Sequence, residues 1–304
     1  MKIKNLILSA SLAFTMCSVT VADQAPVLDV MVPSGKTGST MAQSVLINNA
    51  LIELGYDSKL VHTGNCVNAV NYMNNNTERP TIFLYSDNRY YGDKKKFNCN
   101  IVAKDDNFVV NFNLKLSTMC VRADTDFTTF EDFIKNKDRV TIATTNTLPG
   151  SPYTDLSKQF GVDFVRVDFD GTKKTTAALV ASDTDMMYQR YTGYVANHPE
   201  VKCFTTSASK AINGMPPMTE VFPEWSLNQL GSIQTVMASN LTREQLENAK
   251  NVIIQIQSEN DKLRKYLADS YMVTAGEMDA DGFGLAGFLE NVQSIIDLDA
   301  QGNK

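Results

Sequence analysis

Apolar and polar positions along the chain follow two periods, one typical of buried strands and one typical of amphipathic helices. The apolar run 27–32 predicts a first strand, and apolar residues at every fourth position within 40–54 predict a helix that ends before Gly55. Further strands are predicted at 59–62, 81–85, 108–116, 118–122, 139–144, 162–167, 185–188, 201–205 and 233–238, and further helices at 172–181, 242–272 and 283–298. This alternation predicts parallel sheets with helices on both faces.

Short polar motifs mark several predicted helix starts. Thr128 and Glu131 have capping-box spacing, as do Thr242 and Gln245. The segment Gly150-Ser151-Pro152 predicts another start, because proline suits the first turn of a helix. The polar run 74–80 predicts a surface loop between two strands.

The pattern also predicts two crossings between two lobes. The extended runs 108–116 and 118–122 are separated by Ser117 alone, and a second link surrounds 222–225. We therefore expect an α/β chain with a cleft between two lobes joined by two hinge crossings. Residues 1–22 would be a signal peptide, residues 23–117 and 224–304 a discontinuous first lobe, and residues 118–223 the second lobe.

The amino terminus has the pattern of a secretory signal peptide. Lys2 and Lys4 precede a short apolar stretch, and Thr20-Val21-Ala22 suits cleavage after Ala22, which predicts a periplasmic protein. A lipoprotein at Cys17 is the disfavoured alternative. Loss of this leader would take the net charge from −6 to −8. Since the chain also lacks a basic tract, nucleic acid is not an expected partner.

Four cysteines follow the leader, and an even number in an oxidising compartment predicts two disulfides. The preferred pairing keeps each bond within one lobe, as Cys66–Cys99 and Cys120–Cys203. Buried free thiols are the alternative. A metal site that uses His62 and Cys66 is disfavoured, because the chain has no CxxC motif and His62 ends a strand-like run. No cofactor is expected.

Small polar loops between strands and helices hold the candidate binding chemistry. The first of them, PSGKTGST at 33–40, looks like a nucleotide-binding loop, but that motif requires glycine where Val30 stands. The loop keeps the elements of an anion site, because glycine allows close approach and a helix N-terminus offers N–H groups. An ordinary turn between a strand and a helix is the alternative, and the similar loop at 143–151 favours the anion site. The predicted ligand-binding residues are Ser34, Gly35, Lys36, Thr37, Gly38, Ser39 and Thr40 in the first loop, Thr144, Thr145, Asn146, Gly150 and Ser151 in the second, Asp170 and Gly171 in the third, and Arg190.

Two charged residues are candidates for pairing with a carboxylate. Lys36 lies in the first loop, and Arg190 follows a predicted strand; an arginine can bind a carboxylate with two hydrogen bonds. The alternative for each is a solvated surface charge. Tyr188 and Tyr191 would line the cleft or pack in the core.

The order of these loops resembles the tripartite tricarboxylate transporter receptor family, the Bug-type periplasmic solute-binding proteins. Six segments of this chain are similar to motifs of that family, namely 33–38, 128–134, the Gly-Ser pair at 150–151, 169–171, 178–179 and Thr184-Asp185. The resemblance implies a type II periplasmic binding fold and capture of small carboxylates by two main loops, largely through backbone N–H groups and water. The chain departs from the family pattern near Met41, at 62–66, and near Thr154 and Asp155.

The leading hypothesis is an exported, monomeric solute-binding protein that closes about a hinge on a small organic carboxylate, with the ligand bridging loops 33–40 and 144–151. It would deliver that ligand to integral membrane subunits of a tripartite tricarboxylate transporter. A ligand-sensing subunit, a receptor of another transporter class, and an exported enzyme on the same scaffold are the alternatives. Enzymatic activity is not expected, because the chain lacks the common hydrolase, metalloprotease and dinucleotide motifs, and His62 and His198 are its only histidines.

Overall fold

A computed structural model describes residues 25–36, 38–76, 78–87, 99, 101–145, 152–169, 171–208, 211–222, 232–274 and 284–302. The strands are β1 Asp29–Val32, β2 Leu60–His62, β3 Thr81–Ser86, β4 Phe108–Lys115, β5 Ser117–Arg122, β6 Arg139–Thr145, β7 Asp163–Phe169, β8 Met186–Arg190, β9 Val201–Thr206, β10 Ser232–Ser239 and β11 Met272–Thr274. The helices are α1 Ser39–Glu53, α2 Cys66–Asn75, α3 Phe130–Ile134, α4 Pro152–Phe160, α5 Thr172–Val180, α6 Gly193–Ala196, α7 Met218–Val221, α8 Arg243–Glu259, α9 Asp261–Asp269 and α10 Leu285–Gly302.

The described strands form two sheets. The first has the order β11-β4-β10-β3-β1-β2, and the second has the order β7-β6-β8-β5-β9. In the first sheet β1 runs parallel to β2 and β3, whereas β10 runs antiparallel to β3 and β4, and β11 antiparallel to β4. In the second, β6 runs parallel to β7 and β8, whereas β5 runs antiparallel to β8 and β9.

The prediction of purely parallel sheets is therefore wrong, and the connection between the sheets explains why. Strand β4 ends at Lys115 and β5 begins at Ser117, so the chain passes from one sheet to the other through Leu116 alone. On its return, the chain enters the first sheet from the same edge. As a result, Ser232 at the start of β10 pairs with Lys115, and the strand runs against its neighbours.

The same connection brings the ends of the parallel strands together. Lys115 lies at the edge of the first sheet where β1, β2 and β3 end, and Ser117 pairs with Arg190 at the end of β8. Because Lys115 and Ser117 are separated by one residue, these two edges adjoin. The segments that follow β1, β6, β7 and β8 therefore leave their strands at a shared cleft, as expected for ligand sites in open α/β sheets.

Each sheet has an apolar core on both faces. In the first sheet one core includes residues of α1, α8 and α9, and the other includes residues of α2 and α10. In the second sheet an aromatic cluster centred on Phe130 covers one face, and a smaller core with Leu179 and Val195 covers the other. Two-sided coverage explains why most strand positions are apolar and do not alternate with polar residues.

The helix ends correct several sequence predictions. The capping box of α3 is formed by Thr129 and Asp132, one residue later than predicted, with hydrogen bonds of 3.2 and 3.1 Å. Because two threonines and two acidic residues are adjacent in the sequence, it allows a capping box of Thr128 with Glu131 as well as one of Thr129 with Asp132. The box of Thr242 and Gln245 is confirmed at the start of α8, with bonds of 3.3 and 2.8 Å.

The predicted helix over 242–272 is interrupted, and its last residue belongs to a strand. Asn260 has an extended backbone (φ −80°, ψ 104°), and its side chain accepts a hydrogen bond from the Leu263 amide to begin α9. Met272 then begins β11, which pairs with β4. Helix α2 was not predicted, and it extends into the polar run at 74–80 that was expected to be a loop.

Both predicted disulfides are confirmed. Cys66 is bonded to Cys99, and Cys120 is bonded to Cys203, which it faces in the antiparallel pair β5–β9. The alternatives of free thiols and of a Cys66 metal ligand are therefore wrong. Within the described parts of the chain, no group of three histidine, cysteine or acidic side chains could hold a metal ion. No helix in those parts has the length and apolar character needed to cross a membrane.

Candidate functional site

The start of helix α1 presents backbone donors at the cleft that have no acceptor within the helix. Gly38 is its N-cap residue, with φ 110° and ψ 173°, and no side chain caps the helix. The first helical hydrogen bond is donated by the Ala42 amide to the Gly38 carbonyl at 3.1 Å. The amides of Ser39, Thr40 and Met41 precede that bond, so they have no acceptor within the helix. They carry the partial positive charge of a helix N-terminus.

The start of helix α5 repeats this arrangement in the second sheet. Gly171 is its N-cap residue, with φ 92° and ψ 161°, and again no side chain caps the helix. The Gly171 carbonyl accepts hydrogen bonds from the amides of Lys174 and Thr175 at 3.1 and 3.2 Å. The amides of Thr172 and Lys173 are therefore left without a helical acceptor.

Five other helices of the described chain start differently, whereas the four-residue helix α7 also has no side-chain cap. Side chains cap these five, namely Asn65 for α2, Thr129 for α3, Thr192 for α6, Thr242 for α8 and Asn260 for α9. Both α1 and α5 are longer than two turns, and both begin after strands that end at the cleft. Glycine at both N-caps removes the side chain that would otherwise occupy these amides. The arrangement therefore leaves them free for an anion.

Two hydroxyl groups at the start of α1 are held by side chains of the first sheet. Lys115 Nζ donates to Ser39 Oγ at 3.1 Å, and Gln234 Nε2 donates to Thr40 Oγ1 at 3.2 Å. A hydroxyl that accepts a hydrogen bond keeps its own proton available as a donor. Ser39 and Thr40 can thus add O–H donors to the backbone N–H groups.

A buried polar layer fixes the start of α1 against the sheet. Asn113 Nδ2 donates to Gln43 Oε1 at 2.9 Å and to Gln234 Oε1 at 3.3 Å. All three side chains are at most 1% exposed, so these bonds are formed away from solvent, where leaving them unmade would be costly. Strands β4 and β10 are thereby tied to the first two turns of the helix.

The structure brings together only part of the predicted site. Gly35, Lys36 and Gly38 are exposed, whereas Thr144 and Thr145 are buried at the end of β6. Ser34 Oγ is buried, and it has no hydrogen-bond partner in the described part of the chain. Gly171, Ser39 and Thr40 occupy the helix starts described above. Thr37, Asn146, Gly150, Ser151 and Asp170 lie outside the described residues.

The two candidate tyrosines have different surroundings. Tyr188 is fully buried in the aromatic core of the second sheet, so the interpretation of Tyr188 as a wall of the cleft is wrong. Tyr191 lines a cavity between the sheets, and its ring centroid lies 4.7 Å from that of Tyr271, which lies between α9 and β11. Tyr191 therefore belongs to a contact between segments of the two sheets.

Arg190 ends β8 and lines the same cavity. Burial lowers the pKa of its guanidinium, while the negative charge of Asp87 acts in the opposite direction. Arginine remains protonated under such conditions. Asp87 itself is fully buried, and it accepts hydrogen bonds from Ser232 Oγ at 2.8 Å and from the Ile233 amide at 2.7 Å.

Sequence reasoning missed the polar residues of β4 and β10. Asn111, Asn113 and Lys115 occupy alternate positions of a predicted strand, which is the spacing of one strand face. Polar side chains at this spacing in an otherwise apolar strand are the signal that could have identified them. Gln234 in β10 had a weaker signal, since the positions two residues before and after it hold Ser232 and Val236.

Neither a protein-family model nor a curated protein sequence matches the chain. Solved structures do match its fold. A TctC solute-binding protein from Polaromonas aligns with a TM-score of 0.69 at 14% identity, over 92% of this chain and 99% of that one. MatC from Rhodopseudomonas palustris with bound malate gives 0.58 at 17% identity, over 92% and 99%. A second R. palustris protein, with adipate, gives 0.56 at 13% identity, over 92% and 97%.

These alignments define the class of fold. The chain has the two-lobe α/β architecture of type II periplasmic binding proteins. Within that class, the structures it resembles include a TctC solute-binding protein, so the resemblance predicted from the loops is confirmed at the level of the fold.

Proposed function

We propose that this protein is an exported solute-binding protein that captures a small organic carboxylate in the cleft between its two sheets. The observation that carries this proposal is the pair of helix starts at Gly38 and Gly171, which are left uncapped by side chains at the ends of β1 and β7. Free N–H groups and helix dipoles from both sheets can bind one anion together. Such a ligand would be bound more tightly when the lobes approach each other.

Hinge closure supplies the mechanism, and no covalent chemistry is required. Leu116 is the whole crossing between β4 and β5, and its carbonyl accepts a hydrogen bond from the Tyr191 amide at 2.8 Å. Small backbone rotations around this residue would move the predicted lobes 23–117 with 224–304 and 118–223 relative to each other. A ligand shifts the equilibrium toward the closed form only by its greater affinity for that form.

The known complexes of similar structures support a carboxylate as the ligand class, since two of them contain malate and adipate. The predicted signal peptide and the two disulfides support export into an oxidising compartment. Delivery of the ligand to a membrane transporter of the tripartite tricarboxylate type completes the proposal. Binding without turnover, by a monomer, is the expected behaviour.

A thermal-shift screen of the mature chain tests the proposal. Mono-, di- and tricarboxylates would be compared with their amides, and with amino acids, sugars and phosphate. A ligand present at 100 times its dissociation constant adds about 2.7 kcal/mol to the free energy of unfolding. We expect at least one carboxylate to raise the midpoint by roughly 5–10 °C. A response to sugars or phosphate with none to carboxylates would overturn the proposed ligand class, and conversion of a bound compound to product would favour an enzyme.

A further inference from the structure

A cavity of about 690 Å³ lies between the start of β4 and helix α8, away from the cleft. Its described walls come from the first sheet and the helices next to that sheet. Phe108, which lines the cavity, lies roughly 20 Å along β4 from Lys115 at the cleft end of the strand. The cavity is therefore distinct from the candidate carboxylate site and does not require the two sheets to move.

Both long walls of the cavity carry apolar side chains. Strand β4 contributes Phe108, Val109 and Val110, and helix α8 contributes Leu246 and Ile254. Small-molecule sites have volumes of about 300–1,000 Å³ and are mainly apolar, with a few polar groups that orient the ligand. The cavity has the size and the walls of such a site.

Asn111 supplies a buried polar group to this cavity. It is 2% exposed, and its Nδ2 atom donates to the Gly284 carbonyl at 3.4 Å. Its Oδ1 atom is buried and accepts no hydrogen bond from the parts of the chain that the structure describes. Since buried polar atoms are nearly always paired, this oxygen indicates a missing donor.

The polar side chains of α8 along the same cavity already have partners. Gln257 donates to the Phe112 carbonyl, and the Ser258 hydroxyl lies 3.0 Å from the carbonyls of Ile254 and Gln255 in its own helix. The missing donor for Asn111 Oδ1 is therefore expected from a bound molecule.

The charged residues of the cavity balance one another. Arg243 and Lys250 are opposed by Asp105 and Glu247, and Lys250 Nζ lies 3.8 Å from a carboxylate oxygen of Glu247. Asp105, Arg243 and Glu247 are exposed, so solvent screens their charges. A ligand with a net charge would gain little here, which favours an uncharged one.

We infer that this cavity binds a small, uncharged, mainly apolar molecule that donates one hydrogen bond, from N–H or O–H, to Asn111 Oδ1. Apolar contact with β4 and α8 would supply most of the affinity, and Asn111 would orient the ligand. The inference does not rest on the proposed function, because both the ligand class and the site differ from those of the cleft.

Two isomeric probes test the requirement for a donor. 3-Methylindole and 1-methylindole have the same size and the same apolar character, but only the first has an N–H group. Each would be titrated into the mature chain up to its solubility limit and followed by two-dimensional NMR of the amides. 3-Methylindole should shift the signals of Val109, Leu246 and the Asn111 side chain, and leave those of Ser39 and Thr172 at the cleft unchanged. It should bind about 10-fold more tightly than 1-methylindole, which leaves the buried oxygen unpaired.

Two tryptophan variants test the location. Ile254 lines the cavity and is 44% exposed, so Ile254→Trp should fold normally, fill part of the cavity and abolish binding of 3-methylindole. Ile52→Trp is the matched control, because Ile52 is 51% exposed on α1 and does not line the cavity, and its binding should equal that of wild type. Asn111→Leu, if it folds, should bind the two isomers equally.

Three results would overturn the inference. They are equal wild-type affinity for the two isomers, signal changes that occur at the cleft or nowhere, and full binding of 3-methylindole by Ile254→Trp. The thermal-shift screen with carboxylates would keep its outcome in each case, since the cleft is unaltered.

Discussion

Substitution of Gly38 by alanine isolates the backbone geometry that leaves α1 uncapped. At φ 110° and ψ 173°, Gly38 has a conformation that is essentially restricted to glycine. A Cβ atom added there would meet nothing within 4 Å, so the methyl group causes no steric clash with other residues. Any loss of stability therefore comes from the local backbone alone.

The expected magnitude follows from two opposing effects. A residue held in a disfavoured φ/ψ region costs about 1–3 kcal/mol. Alanine also reduces the conformational freedom of the unfolded chain, which returns about 0.4–1 kcal/mol. The net loss should be about 1–2 kcal/mol, or roughly 2–8 °C in the melting midpoint.

Gly35→Ala is the matched control in the same loop. Gly35 is also exposed and also has nothing within 4 Å of an added Cβ, but its φ lies outside the left-handed region. Its substitution should change the free energy of unfolding by less than about 1 kcal/mol, in the stabilising direction. Urea denaturation of the mature chain measures both variants. Equal losses in the two variants would refute the assignment of the effect to backbone conformation.

Three further predictions concern stability. Phe130→Ala should lower the free energy of unfolding by about 3–5 kcal/mol, because the Phe130 ring contacts five aromatic rings at centroid distances of 4.9–6.1 Å. In the same urea titration, the control Ile254→Ala at an exposed position should lower it by less than about 0.5 kcal/mol. Replacement of Cys120 and Cys203 by serine opens a loop of 83 residues and should lower the free energy of unfolding by about 2–5 kcal/mol. The double variant is compared with oxidised and with reduced wild type. A loss smaller than about 1 kcal/mol would contradict a disulfide that stabilises by restricting the unfolded chain. Burial by itself would raise the pKa of Asp185, but hydrogen bonds from Thr141 and Lys137 outweigh this effect and lower that pKa. The stability that this carboxylate contributes is therefore complete above about pH 4 and is lost as the pH falls further. The difference in unfolding free energy between wild type and Asp185→Asn should accordingly shrink below pH 4, and a constant difference from pH 7 to pH 2.5 would contradict this.

Local patterns predicted the parts of the fold that depend on local chemistry. The apolar run before Pro33, the four-residue period of α1 and the stop at Gly55 all lie within residues 27–55. The observed helix ends at Glu53, and Gly55 has a positive φ of 89° as a helix stop requires. The crossing between the sheets could also be predicted from the sequence, because the extended runs 108–116 and 118–122 are separated by one residue and cannot form a hairpin.

The polar layer beneath the candidate site could not be predicted in this way. Gln234 is separated by 194 residues from Thr40, and Asn113 by 70 from Gln43. Such pairs depend on the order and direction of the strands, which were predicted as parallel. Lys115 was missed for a related reason: a lysine that ends a strand usually lies in solvent, and here the adjoining sheet edge buries it.

Binding of one ligand by both uncapped helix starts is tested most directly by NMR-detected hydrogen exchange. Amide exchange would be measured in the mature chain with and without the carboxylate that gives the largest thermal shift. Slower exchange is expected at Ser39 and Thr40 in α1 and also at Thr172 and Lys173 in α5, while the side-chain-capped start of α8 stays unchanged. Protection at only one of the two starts, or at neither while the ligand binds, would contradict the account.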